Sequence, residues 1–541
     1  MLAIYSGIKL FPGGGHSRDH TNEKGALFLS PASFIPFYVS RAMSANEHPA
    51  SPKTLPVHGA LHRDEPGDLE KGESQLHPPV WRRSLWKVLQ AKSDIDPRSY
   101  SHQKKTVILL IIALAGVIAP LSTTIYYPSL LTIEKEMATS NAAVNATVSI
   151  FIFCTGAAPL AWATFSEAFG TRRLIYLVTF AIYVIASVGC ALANNIYTLI
   201  ILRIFQALGG SAVQSLGAGT IADVWETHER GFAFGLFYIG PLVGPIIGPV
   251  LGGFLGEYIS WRSTFYFLAI FGGVVWVLIL AALPETFRYS KPTISPTPTT
   301  SSDEEDPTSS PKSHRQHGTL NPFRSLLLLR YPFVVLITLT VALLYSSIYT
   351  INIMLPHQAH DIYRFDESKT GLIYLAMGGG LIVGSVLGGK ICDYSLMLAR
   401  SRKGHSTPED RLTYNVYIGG LLFSPAGLLV YAWLSDGRYS IAIPLVGLFF
   451  VGLGIMMVAN STSTYLVDAL SSQSASAMAV NNFGRNLMGT FATLVGPLLS
   501  KAIGYGWLAT LLAVASLVAV GLALVIYKHG EGWREKAGLN G

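Results

Sequence analysis

The chain has 541 residues, half of them hydrophobic and only 13% charged, against about a quarter charged in an ordinary soluble domain. That balance argues against a soluble protein and reads as an integral membrane protein, whose formal charge of +7 marks cytoplasmic loops rather than a nucleic-acid partner. Cys154, Cys190 and Cys392 fall in or beside apolar runs, so they read as small buried hydrophobes and not as a disulfide framework or a zinc site.

Residues 1–103 hold no run long enough to span and are rich in Pro, His, Gly, Ser and charge, the composition of a disordered tail. The opening MLAIYSGIKLFPGGG lacks the apolar core and cleavage site of a signal peptide, and Met43 opens a polar segment that would serve as an alternative start. A basic cluster, Arg82, Arg83, Lys87, Lys92, Arg98, Lys104 and Lys105, places the tail in the cytosol.

Apolar runs then recur at about 106–128, 143–164, 173–193, 197–222, 231–254 and 262–283. At about 1.5 Å per residue they cross a hydrocarbon core of roughly 30 Å. Residues 284–330 are polar and Pro-rich, a cytosolic linker. Six further spans are predicted at about 331–355, 369–391, 413–434, 439–466, 477–499 and 505–527, with a basic cytosolic tail at 528–541. An even span count puts both termini on one side, and the breaks on that side carry Arg172, Arg173, His228, Arg230, Arg400, Arg402, Lys403 and Arg411. The sequon at Asn145 lies too close to the second span for glycosylation.

The fifth run contains GPLVGPIIGPVLGG. Its pairs Gly240-Pro241, Gly244-Pro245 and Gly248-Pro249 repeat every four residues, which stacks the glycines on one helical face. In water such a helix is poor, because each Pro removes a donor and each Gly adds unfolded-state entropy. In a bilayer, neighbouring helices satisfy the freed carbonyls, and a strip without side chains admits another helix closely. The segment reads as a bendable, tightly docked helix; a generic small-residue packing face is the plainer alternative.

Two blocks of six spans joined by a polar linker, with a charged turn after the second span, resemble the major facilitator superfamily of secondary transporters. The Gly-Pro helix is similar to the fifth-span motif of its proton-driven exporters, and Arg203-Ile-Phe-Gln206-Ala-Leu-Gly209-Gly210 to its fourth-span motif. PLSTTIYYPSL in the first span, Pro284-Glu285-Thr286, and SASAMAVNNFGRN at 474–486 look like the fungal twelve-span drug:proton antiporters, in the branch of quinidine-resistance and citrate-exporter proteins. The resemblance covers roughly residues 104–535. The family's Gly-x-x-x-Asp-x-x-Gly-x-Arg loop falls on Ala163, Glu167, Gly170 and Arg172, followed by Arg173, with a partial echo from Gly384 to Asp393. The resemblance implies a latch that ties helix ends through a carboxylate and an arginine, here loosened by the longer Glu167.

Ionisable groups inside spans are expensive and so are functional candidates. Arg203 lies near the start of the fourth span, where it pairs with a carboxylate or snorkels to a headgroup; the fourth-span motif ties this arginine to proton coupling. Gln206 shares its face one turn on, and Gln214 follows two turns later. Arg485 lies in the eleventh span with Asn481, Asn482 and Asn486, in pairs four apart that share a face. A guanidinium beside amides in a watery cavity suits an anionic or hydrogen-bonding substrate; the alternative is interhelical glue. The same two readings stand for Asn352 and Asn460.

The first span carries no acid, which leaves Asp223 and Asp468, at the ends of the fourth and tenth spans, as proton carriers or as partners of loop arginines. Tyr126, Tyr127, Tyr345, Tyr349, Phe449 and Phe450 line a cavity or pack against neighbours and lipid. The chain shows no phosphate-binding loop, metal spacing or nucleophile elbow, so it reads as neither an ATPase nor an enzyme and needs no cofactor.

The expected architecture is an all-α membrane protein of twelve transmembrane helices in two six-helix bundles, rocking about a central site. It would move a drug, secondary metabolite or organic acid outward in exchange for protons, as a monomer in the plasma or vacuolar membrane, with Arg203 and Arg485 tilting the substrate towards anions. Two alternatives stand beside it: an importer or facilitator on the same fold, and a nutrient sensor without turnover, suggested only by the long N-terminal tail.

Overall fold

The computed structural model describes residues 96–226, 229–288, 324–437, 439–470 and 473–538. The predicted tail with Arg82, Arg83, Lys87 and Lys92, the loop residue His228 and linker residues 289–323 lie outside the described residues.

Among the described residues there is no strand, and the first bundle is built from α1 (His102–Thr124), α2 (Asn141–Phe169), α3 (Arg173–Leu192), α4 (Ile196–Val224), α5 (Arg230–Tyr258) and α6 (Trp261–Ala282). The second comprises α7 (Pro332–Asp361), α8 (Glu367–Lys403), α9 (Pro408–Asp436), α10 (Ala442–Ala469), α11 (Ser474–Ile503) and α12 (Tyr505–Lys536). Helix α9 is composite, with a π-helical stretch at Val416–Phe423. Local chemistry sets several starts: Ser101, Ser140, Asn195 and Ser260 each accept a hydrogen bond from a first-turn amide, which satisfies a donor the helix itself cannot. Helix α2 stops at Gly170, whose φ of 60° favours glycine.

Eleven of these helices are long and apolar enough to cross a membrane. The twelfth, α11, is as long but carries Asn481, Asn482, Arg485 and Asn486 in its middle. Two helices outrun their predicted spans furthest: α8 continues to Lys403 and α12 to Lys536. The basic segment read as a C-terminal tail is thus helix as far as Lys536. It contains Arg534, which donates to both oxygens of the buried Glu409 at 2.8 Å. Charge ends an apolar run in a sequence, but a paired charge does not end a helix.

The two bundles repeat one packing scheme. Contacts α1–α5, α2–α4, α3–α4 and α3–α6 recur as α7–α11, α8–α10, α9–α10 and α9–α12. Between bundles, α5 packs on α8 and α2 on α11. Because successive helices reverse direction, the starts of odd helices and the ends of even ones share one end of the molecule, which we call the terminal end. The opposite, distal end carries the short helix Leu130–Glu136 and the start of α8.

Helix α5 runs unbroken through Pro241, Pro245 and Pro249. A Cβ at Gly240, Gly244, Gly248 or Gly252 would strike Ala113, Pro120, Thr124 or Ile125 on α1 or its cap. On another face, the backbone of Pro249 leaves no room for a side chain at Gly371 of α8, and Gly253 abuts the Glu367 carbonyl. One strip of α5 therefore docks inside its own bundle while its distal half seals against the other, which only glycine on both sides allows.

Candidate functional site

The seam between bundles is polar at defined points. At the distal end the Glu367 carboxylate accepts hydrogen bonds from Ser129 and Thr132 of the first bundle. The Ser368 amide donates to Glu257 at 2.8 Å, and Asn141 bonds His357 at 2.9 Å. Deeper, Ser149 on α2 meets Thr493 on α11 at 2.7 Å, and Gly156 lies against Asn486 so closely that a Cβ there would collide. The last bridge is Asn482, whose amide donates to Gln214 of α4 at 3.0 Å. Among the described residues, no hydrogen bond joins the bundles beyond this one towards the terminal end.

This central bridge organises the predicted polar patch of α11. Asn482 Oδ1 accepts from Arg485 Nη2 at 2.5 Å and from Asn486 at 3.2 Å, and Tyr349 of α7 donates to Asn486 at 3.1 Å. The Arg485 guanidinium stands 4.8 Å from the Tyr345 ring centroid, and its Nε has no partner. Gln214, Asn482, Arg485, Tyr345 and Tyr349 are half-buried. The structure thus brings together Gln214, Asn482 and Arg485 from opposite bundles, as neither span could show alone.

Arg203 sits elsewhere and in neither predicted setting. It is fully buried, with its guanidinium 3.9 Å from the Phe151 ring and 4.4 Å from that of Tyr126, and Phe265 at 5.8 Å. Two hydrogen bonds are made, to the Ser122 carbonyl at 3.1 Å and Gln206 Oε1 at 2.7 Å. Among the described residues no carboxylate pairs with it, and being fully buried it does not snorkel. Desolvated cation–π contacts of this kind contribute about 2 kcal/mol each, which is how the bundle tolerates the charge. Gln206 continues the chain to Ser187 at 2.9 Å. The pair ties α4 to α1 and α3 rather than lining the seam.

The remaining candidates divide similarly. Asn460 donates to the Ser385 carbonyl at 2.8 Å, joining α10 to α8. Asn352 accepts from Tyr374 through its carbonyl at 2.7 Å, while its side-chain oxygen and that of the buried Asn481 lack partners. Tyr126 and Tyr127 are fully buried, and Phe450 stacks on Phe423 within the second bundle. Asn145 of the sequon is buried and bonded to Asn141.

At the terminal end the latch forms with different acids from the one the loop pattern points to. Glu167 is exposed. Arg172 pairs instead with Asp223 at the end of α4, 3.2 Å away, and donates to Ser166 at 3.0 Å. Glu285, just after α6, accepts from the Thr171 hydroxyl and from the Arg172 amide at 2.9 Å, while Arg173 donates to the Leu280 carbonyl at 2.7 Å. The second bundle repeats the motif: Arg411 at the start of α9 pairs with Asp468 at the end of α10 at 2.6 Å and with Asp393 at 3.3 Å. Glu285 stands in the Pro-Glu-Thr triplet noted in the sequence, whose separation from the loop hid its role. Glu285→Ala is expected to cost about 1.5–3 kcal/mol, since it strips a charged acceptor from several donors. Glu167→Ala should leave the melting temperature of the solubilised protein unchanged, and equal losses for the two would remove the latch as drawn.

The comparisons with known proteins agree with this architecture. The Major Facilitator Superfamily pattern matches residues 112–493. The chain is 29% identical to the MFS antiporter QDR3 of Candida albicans, over 81% of this chain and 80% of that one. It is 31% identical to the MFS-type transporter penM of Penicillium rubens, over 81% and 86%. Among solved structures, the D-xylose-proton symporter superposes with a TM-score of 0.57 at 16% identity, covering 77% of this chain and 97% of that one. With paired six-helix bundles, a polar seam between them and arginine pairs at one end, the chain belongs to the Major Facilitator Superfamily.

Proposed function

We propose that this protein is a secondary active exporter that carries a small molecule out of the cell by alternating access, in exchange for protons. The observation that carries the reading is the Gln214–Asn482–Arg485 bridge. It lies on the seam between two repeated bundles, and among the described residues the other hydrogen bonds across that seam lie on its distal side. A site so placed opens to one face and, after the bundles rock, to the other. Arg172, Arg173, Arg411 and Lys403 cluster at the terminal end, which supports placing that end, with both termini, in the cytosol. The distal seal then faces outside, and this arrangement is the inward-open member of the cycle.

Substrate contacts in this reading come from Gln214, Asn482 and Arg485, with Asn352, Asn460 and Asn481 behind them and Arg203 and Gln206 supporting the α1–α4 contact. Gating belongs to the Gly240–Pro249 glycine-proline repeat, to Arg172, Arg173 and Gly170, to Asp393 and, in a lesser role, to Glu167. Proton coupling is placed on α4, through Arg203 and Asp223. The protein works as a monomer in the plasma membrane. Curated relatives described as an antiporter and as a quinidine-resistance protein support efflux and antiport.

Everted vesicles bearing an acid-inside gradient test it with a panel of drugs and organic acids. At least one compound is expected to accumulate and to discharge the gradient as it does so. Accumulation that persists unchanged when a protonophore collapses the gradient would remove antiport.

A further inference from the structure

We propose that the open face of Arg485 is an anion subsite, so that the substrate is a small organic anion carrying a planar ring. The inference rests on the transport reading above and names the substrate class of that same site.

The first argument is charge balance. Within the middle of the described bundles the cations are Arg203 and Arg485, and no carboxylate lies beside either. The acids that touch the helices sit at their ends: Asp223, Asp393, Glu409, Asp410 and Asp468 at the terminal end, Glu257 and Glu367 at the distal end. Arg203 also has unpartnered nitrogens, Nε and Nη2, but it is fully buried beneath the Tyr126 and Phe151 rings, so no ligand reaches it. Arg485 lies against the Tyr345 ring and gives Nη2 to one amide oxygen; its Nε is buried without a partner, while the residue as a whole remains half-buried. A guanidinium held in low dielectric with spare donors is short of one negative charge.

The second argument is geometry. Asn482 Oδ1 holds Nη2, which fixes the plane of the guanidinium and leaves Nη1 to donate to a carboxylate or phenolate oxygen. Tyr345 of α7 lies over the same charge, and Tyr349 one turn on bonds the neighbouring Asn486. Tyr345 and Tyr349 are both half-buried, with ring centroids 6.5 Å apart, so a flat ring has an apolar surface beside the anion's position. The unpartnered oxygens of Asn352 and Asn481 add acceptors to the same bundle and no further cation. Because Asn482 also donates to Gln214, an anion that draws Arg485 away loosens the inter-bundle bridge. Substrate charge is thereby linked to the rocking motion.

The test uses the full-length protein in nanodiscs and matched aromatic probes: benzoate, 2-naphthoate and indole-3-acetate, each with its amide and its primary-amine counterpart. Thermal stabilisation and isothermal titration are expected to rank at least one carboxylate at least tenfold tighter than its amide and above its amine. Arg485→Gln should erase that preference, bringing the carboxylate to within about twofold of its amide in the same variant, and Arg485→Lys should retain part of it. If Arg485→Gln fails to fold, Arg485→Lys is read instead, with at least a threefold fall in the carboxylate-to-amide ratio expected and an unchanged ratio overturning the subsite. Equal binding of all three classes, a preference for amines, absence of any carboxylate binding, or an unchanged ratio in the variants would overturn the subsite. Proton-coupled accumulation of amines that survives Arg485→Gln would keep the exporter and remove the anion. Carboxylate-selective binding without transport would do the reverse.

Discussion

Arg534→Met is expected to lower the stability of the protein by about 3–5 kcal/mol, the cost of leaving a buried carboxylate without its partner. The side chains of Glu409 and Arg534 are only 3% and 9% exposed, and the pair is bidentate, with both contacts at 2.8 Å. Tyr465 adds a third bond to Glu409 at 3.3 Å, and a Cβ at Gly530 would press on the same carboxylate. Nothing nearby replaces the guanidinium, so the remaining charge has no solvent and no counterion. The pair fastens the terminal end of α12 to the start of α9, and its loss should fray the last turns of α12 first. The double variant Glu409→Leu with Arg534→Met removes both charges and should recover most of the loss, because two apolar groups of similar volume carry no desolvation cost. Unfolding of the solubilised protein, followed by heat or denaturant, measures each step. A single variant within about 1 kcal/mol of the parent would mean that water reaches Glu409.

Much of this was legible in the sequence, and what was not has common physical causes. The apolar runs placed every long helix, because a bilayer demands about 20 apolar residues and little else. The glycine-proline repeat announced close packing, but not that its glycine strip lies on α1 while Pro249 and Gly253 lie against α8. Which neighbour fills a groove is a tertiary property. Arg203 shows the limit more sharply. Its enclosing rings come from the segment after α1, from α2 and from α6, and no spacing rule joins Tyr126, Phe151 and Phe265. The latch failed in the other direction, since the resemblance to the family's loop motif put the carboxylate on Glu167, while Asp223 and Glu285 reach Arg172 from distant parts of the chain. In the central patch the pairing of Asn482 and Arg485 was visible from helical periodicity, whereas its link to Gln214 needed both bundles in place.

Gly252→Ala is expected to impair folding and transport far more than Gly235→Ala on the same helix. A Cβ at Gly252 would overlap the Ile125 carbonyl, whereas one at Gly235 meets nothing within 4 Å. The obstacle at Gly252 is backbone, so no rotamer change relieves it and α5 must move away from α1. Overpacking in a core costs about 1–3 kcal/mol even where side chains adjust, and the fixed carbonyl puts Gly252 at or above that range. At Gly235 the substitution removes only glycine's helix penalty and should stabilise by up to about 1 kcal/mol. The displacement matters beyond stability, because α5 is held from its other face by α8. Pushing it off α1 disturbs the contacts at Gly371 and Gly253 and the hydroxyl bonds from Ser129 and Thr132 to Glu367. The distal seal should then leak. A cysteine placed at Thr132 in a cysteine-free background would report this through faster labelling by a membrane-impermeant maleimide in the Gly252→Ala protein. Labelling and melting temperatures that match those of Gly235→Ala would show that α1 and α5 do not depend on glycine contact. The repeated glycines would then be tolerated rather than required.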